Sequence, residues 1–173
     1  MTKRVSSRKG KTLLAALLAF LALVVLLFIA RAVGMAVNSR TPPGGINEER
    51  YVDINGSRQW ISIYGDDRDN PLLLYLHGGP GSATSMYDYA FTRKWADVYT
   101  VVTWDQRNCG KSLNSSPVSE LSCAQLVDDG LALTEFLLDY MDTDKITLLG
   151  HSWGSYLGCK MALERPEYYD CFI

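Results

Sequence analysis

The sequence predicts an α/β fold, a mixed and mostly parallel sheet with flanking helices, preceded by a single transmembrane helix. Three observations carry this. Leu13 to Ala30 is an unbroken apolar run of eighteen residues. Three short apolar runs, Leu72–Leu76, Tyr99–Trp104 and Lys145–Leu149, each stop at a glycine-containing loop. Helical patterns lie between and after them, and strand, loop and helix repeated with short connections is the signature of a parallel sheet with right-handed crossovers.

Charge divides the chain unevenly. Residues 1–40 hold seven Lys or Arg and no acid, so the remainder carries ten basic residues against all nineteen acids. An acidic body of that kind offers no footprint for nucleic acid. The basic end has a different partner. Residues 13–30 span about 27 Å as a helix, close to the hydrocarbon thickness of a bilayer. Five basic residues precede the run and two follow it, so the positive-inside bias puts residues 1–12 in the cytoplasm, residues 13–37 in the lipid bilayer as a signal-anchor, and the rest outside. Cleavage at Ala30-Arg31-Ala32 or Gly34-Met35-Ala36 would instead secrete the body; the apolar run exceeds the usual signal-peptide core of about 7–15 residues.

Residues 38–48, with Pro-Pro-Gly-Gly, read as a linker, and the body runs over 49–173. It opens with Tyr51–Ile54, the pair Asn55-Gly56, and alternating residues from Arg58 to Tyr64, the strongest short hairpin signal. Leu72–Leu76 is uniformly apolar, as a strand buried on both faces requires. A helix is expected within 85–97 and a second buried strand over Tyr99–Trp104. Over Leu121–Met141, Leu126, Leu133, Leu137 and Met141 keep helical spacing and leave Asp128, Asp129, Glu135 and Asp139 to solvent. Lys145–Leu149 is a third buried strand, residues 155–164 form a helix stopped before Pro166, and Cys171-Phe172-Ile173 begins another apolar run. Four cysteines (Cys109, Cys123, Cys159, Cys171) lack metal-type spacing. An oxidising exterior would permit disulfides, while apolar surroundings suggest that Cys159 and Cys171 are small buried hydrophobes. No metal or cofactor site is expected.

Chemistry concentrates in the loops. Gly150-His151-Ser152-Trp153-Gly154 follows a buried strand and precedes a helix. A turn that sharp projects the Ser152 hydroxyl above the sheet, and its outer positions must be nearly free of side chain, hence Gly150 and Gly154. In His77-Gly78-Gly79-Pro80-Gly81 the missing side chains let the backbone approach a ligand. Acyl transfer needs two N–H donors aimed at an oxyanion; one is expected from Trp153 and the other from Gly79. His77, Gly78 and Gly81 shape that loop. Asp105 and Arg107 could be read as a catalytic acid and a substrate anchor, but the favoured reading is an ion-pair and turn network bracing the loops around the site.

HGGPG at 77–81, WDQRNCGKS at 104–112 and GHSWGS at 150–155, in this order and at this spacing, resemble the proline iminopeptidase branch of the α/β-hydrolases over roughly Glu49 to Ile173. The resemblance implies an α/β-hydrolase fold and a serine peptidase acting on short peptides from their N-terminus. It implies neither metal nor cofactor, with Ser152 as nucleophile and an oxyanion hole from Gly79 and Trp153. Asn108 stands where that family usually has Gly, and Ser82 where a further Gly is common.

A serine nucleophile needs a base held by an acid, in this fold in the order Ser, Asp or Glu, His. After Ser152 come only Glu164, Glu167 and Asp170, and no histidine. His151 adjoins the nucleophile too closely to aim at it, and the family uses His77 to brace the loop. Two hairpin strands, three parallel strands and the start of another make the N-terminal half of such a sheet, so the expectation is a C-terminally incomplete domain. A small peptide or an ester is the expected substrate: esterase or lipase chemistry could use the same elbow. A non-catalytic binding protein of this fold would be expected to lose Ser152 or the elbow glycines, and it has kept both.

Overall fold

The computed structural model describes residues 2–173, with the side chains of 10–119 and 121–173. It divides into two compact units between Arg40 and Thr41, each considered by itself.

The first unit is one helix, α1 (Thr2–Asn38). Within it Gly10–Asn38 is long and apolar enough to cross a membrane. Leu14, Leu18, Phe20, Leu23 and Phe28 are all exposed, and residues 13–30 carry no polar side chain that could form a face for water. A helix is also the form in which a lone apolar segment satisfies its own backbone groups in lipid. The basic tail rests largely on Lys3, Arg4, Arg8 and Lys9, whose side chains lie outside the described residues.

The second unit is a six-stranded sheet. Strands β1 (Ile46–Ile54) and β2 (Ser57–Gly65) form the hairpin, turning at Asn55 and Gly56 with φ of 50° and 71°, the left-handed pair that such a turn requires. β1 begins five residues before Tyr51 because Ile46 is itself buried; the charged Glu48, Glu49 and Arg50 that obscure it in the sequence lie on an edge strand, where charge discourages further pairing. β3 (Leu72–Leu76), β4 (Thr100–Asp105), β5 (Ile146–Gly150) and β6 (Tyr169–Phe172) complete the sheet. The order is β1-β2-β4-β3-β5-β6. The β1/β2 and β2/β4 pairs are antiparallel and the others parallel.

Helix α2 (Tyr89–Trp95) is shorter than the interval 85–97, because Asp88 caps it by accepting from the Tyr89 N–H at 2.7 Å. Burial pushes the Asp88 carboxyl above the usual carboxylate range, opposed by hydroxyl donors from Thr103 and Ser62 and the Tyr89 N–H. Helix α3 (Cys123–Met141) starts at Ser122, whose hydroxyl accepts from Gln125 N, and stops at Asp142 in the left-handed conformation. Helix α4 (Trp153–Glu164) follows β5. Leu74, Leu76, Val102 and Leu148 from the sheet join Leu133, Leu137, Leu157 and Met161 from α3 and α4 in the core.

Two expectations are corrected. Asp129 does not face solvent: it is fully buried. It falls three residues after Leu126 and four before Leu133, on the same stripe of α3, and it is buried because it has a cationic partner, described below. Cys159 and Cys171 are exposed, while Cys109 is buried, and all four thiols are free. α4 turns Leu157, Gly158 and Met161 inward, which leaves Cys159 on the outer face.

Candidate active site

Three loops meet at the carboxyl ends of β4, β3 and β5, which are adjacent in the sheet. After β5 the chain reverses into α4 at Ser152, whose φ of 56° and ψ of −114° lie outside the regions open to most side chains. The residue is exposed and stands at the amino end of α4. Glycine is required on either side by close approach. A Cβ on Gly154 would collide with the Leu76 carbonyl oxygen, and one on Gly150 would stand 2.6 Å from Ser155 Cα. The His151 N–H donates to Leu76 O at 3.0 Å, pinning the turn to the end of β3.

The loop after β3 lies directly against this elbow. A Cβ on Gly78 would be 3.2 Å from Ser152 Cβ and 3.0 Å from His151 Nδ1. Gly79 takes a φ of +118°, closed to a side chain because Gly81 N would lie 2.6 Å from its Cβ. Among the described residues neither the Gly79 nor the Trp153 N–H donates to a protein acceptor. Two unspent backbone donors thus flank the serine turn.

His77 is buried beneath this loop. Its Nδ1 pairs with Gly78 O at 2.8 Å, while Nε2 accepts from the Gln106 N–H at 3.3 Å and lies 3.3 Å from Cys109 Sγ. A ring that accepts at Nε2 carries its proton on Nδ1. Burial holds its pKa below the ordinary histidine value, partly offset by the Gly78 bond and the Asp105 charge, so the ring is neutral at pH 7. Both nitrogens are engaged, so His77 is a brace and not a free base. The Cys109 thiol donates to Gln106 O at 2.9 Å, and burial, then the Asp105 charge, pushes its pKa up to about 12. Such a thiol is not a nucleophile at neutral pH.

The third loop is a bracing network, though its ion pair is not between Asp105 and Arg107. Arg107 clamps Asp129 of α3 through Nε to Oδ2 at 2.6 Å and Nη2 to Oδ1 at 2.8 Å. The same carboxylate accepts from Asn55, Gln59 and Gln125. Asp105 accepts from the Lys111 N–H at 2.8 Å. Asn108 holds a φ of 61° and makes reciprocal bonds with the Ser116 backbone, donating at 2.9 Å and accepting at 3.1 Å. A glycine could take the same φ but not those two bonds.

Two of the three acids that follow Ser152, Glu164 and Asp170, are placed away from it. Glu164 ends α4. Asp170 accepts from Thr147 at 2.9 Å, near the start of β5, about 15 Å from the elbow at the usual rise per strand residue. Gln106 and Asp129 are the residues that loop composition did not single out. For Asp129 the signal was its place on the apolar stripe; for Gln106 it was its place in the WDQRNCGKS motif, directly after a buried strand.

Comparison with known proteins agrees on the fold. A family model described as alpha/beta hydrolase fold matches residues 71–173. The Bacillus subtilis protein named "Probable aminopeptidase YbaC" is 37% identical over 122 residues, 69% of this chain and 38% of its own length. A proline iminopeptidase of Saccharolobus solfataricus is 33% identical over 124 residues, covering 70% of this chain and 38% of that one. Among solved structures, epoxide hydrolase VrEH1 from Vigna radiata superposes with a TM-score of 0.60 at 26% identity, over 73% of this chain and 38% of its own. The chain therefore spans under two fifths of the length of each of these relatives.

Proposed function

The chain belongs to the α/β-hydrolase fold family, and from that premise we propose that it carries the nucleophile and oxyanion hole of a serine hydrolase that removes N-terminal residues from short peptides. The observation that carries this reading is the strained Ser152 between two backbone N–H groups without protein acceptors. In the reaction Ser152 Oγ adds to the scissile carbonyl and its proton passes to a base. The N–H groups of Gly79 and Trp153 stabilise the resulting oxyanion. Collapse of that intermediate breaks the C–N bond, the amine leaves with the proton, and an ester to Ser152 remains for water to hydrolyse. His77 is committed to its loop and His151 adjoins the nucleophile, so neither histidine of residues 1–173 is placed to act as that base.

The relatives named as aminopeptidase and proline iminopeptidase favour peptides over other acyl substrates. Epoxide opening fits this site poorly for a chemical reason: a serine oxygen attacking an epoxide carbon leaves an ether, which water does not cleave, so the enzyme would not turn over. We place residues 1–12 in the cytoplasm and the hydrolase outside, tethered by residues 13–37, on the strength of the apolar helix and the basic residues before it. The test of the activity is hydrolysis by the intact protein of Pro-, Ala- and Leu-aminoacyl amides beside short-chain esters. Amide cleavage that disappears in Ser152→Ala is expected. Cleavage of esters with the amides untouched would make it an esterase.

A further inference from the structure

Gln106 follows β4, on the far side of β3 from the elbow, yet it touches both loops that carry an oxyanion donor. It is 2% exposed. Its side-chain Nε2 donates to the His77 carbonyl at 3.3 Å, and its Oε1 accepts from the Trp153 indole Nε1 at 3.1 Å. Its own N–H meets His77 Nε2 at 3.3 Å, and its C=O accepts from the Cys109 N–H at 3.1 Å and from the Cys109 thiol. One carboxamide thus bridges the residue two before Gly79 and the residue that supplies the other donor. Only a side chain with a donor and an acceptor at one tip can do so at this reach: glutamate has acceptors alone when ionised, methionine has neither, and asparagine is one methylene short.

We propose that Gln106 is a positioning residue, a clamp that sets the separation of the Gly79 and Trp153 N–H groups and so the fit of the oxyanion hole to the tetrahedral intermediate. This rests on the serine-hydrolase reading above. The clamp touches no substrate atom, so it acts on the rate of acylation and not on binding of the ground state. Misplacing a group by about 1 Å costs on the order of 100-fold and deleting an oxyanion donor about 100- to 1000-fold. Loosening the two donors should therefore cost roughly 10- to 100-fold.

The test compares parent, Gln106→Met, Gln106→Glu and Trp153→Phe in the intact protein, by kcat and KM on an aminoacyl amide and by the rate of reaction with a fluorophosphonate. Trp153→Phe keeps the main-chain N–H and removes the indole donor together with part of the ring, and it carries the test if Gln106→Met does not fold. The clamp predicts lower kcat and slower phosphonylation in all three, with KM within about twofold, and a Gln106→Met/Trp153→Phe double variant no slower than Gln106→Met alone. Parent rates in Gln106→Met, or a raised KM with kcat unchanged, would overturn the clamp while leaving the hydrolase reading intact. A parent protein whose Ser152 takes no adduct would overturn the hydrolase reading and the clamp with it.

Discussion

Ser152 holds a backbone conformation that costs an L-residue of order 1–3 kcal/mol, and the surrounding contacts impose it. β3 and α4 approach so closely that a Cβ on Gly154 would collide with the Leu76 carbonyl, and the turn between them has no slack. Glycine tolerates the same φ and ψ without that cost, though it loses more chain entropy on folding. Ser152→Gly is therefore expected to raise the stability of the intact protein by about 1 kcal/mol, read as the urea midpoint. Ser152→Ala, which keeps a Cβ, should leave it unchanged; equal midpoints for the two variants would show that the turn is unstrained. This scale was the most legible in the sequence. Gly150, Ser152 and Gly154 announce a turn with no room, and Asn108 announces a left-handed position. The two bonds from Asn108 to Ser116 were not legible, because they depend on where a later loop returns.

At the scale of elements, the loop after β4 is tied to α3 and to the hairpin through one buried carboxylate. Asp129 accepts from Arg107, Asn55, Gln59 and Gln125, and its side chain and that of Arg107 are 0% and 3% exposed. Removing one partner strands the other charge in the core, which costs about 3–5 kcal/mol. Asp129→Asn should lower stability by that amount, whereas the neighbouring exposed Asp128→Asn should stay within about 0.5 kcal/mol. Similar losses for both would mean that the network contributes little. The elements themselves followed from periodicity: the uniform runs gave β3, β4 and β5, and the leucine spacing gave α3. The polar partner hidden within an apolar stripe did not follow, because a buried aspartate and a solvated one look alike until the arginine arrives from another loop. Cys159 and Cys171 misled for the converse reason. Their neighbours are apolar, but α4 and β6 each turn a different face to the core.

On the scale of the whole molecule, the chain joins a helix fit for a bilayer to an acidic α/β-hydrolase unit with three exposed thiols. Those thiols report the proposed topology. A membrane-impermeant maleimide applied to intact cells should label Cys123, Cys159 and Cys171 without lysis and should reach Cys109 only after denaturation; labelling that requires lysis would put the hydrolase on the cytoplasmic side. The convergence of three loops was readable from element order alone, since parallel strands gather their loops at one end. The bridge from Gln106 across β3 to Trp153 was not, because it needs the spatial order β4-β3-β5 and not the chain order.

The claim on which the rest depends is that Ser152 is the nucleophile. Reaction of the intact protein with a fluorophosphonate, followed by mass mapping of the adduct, tests it most directly. A single adduct on the peptide carrying Ser152, absent from Ser152→Ala, is predicted; an adduct on another residue, or one that persists in Ser152→Ala, would contradict it.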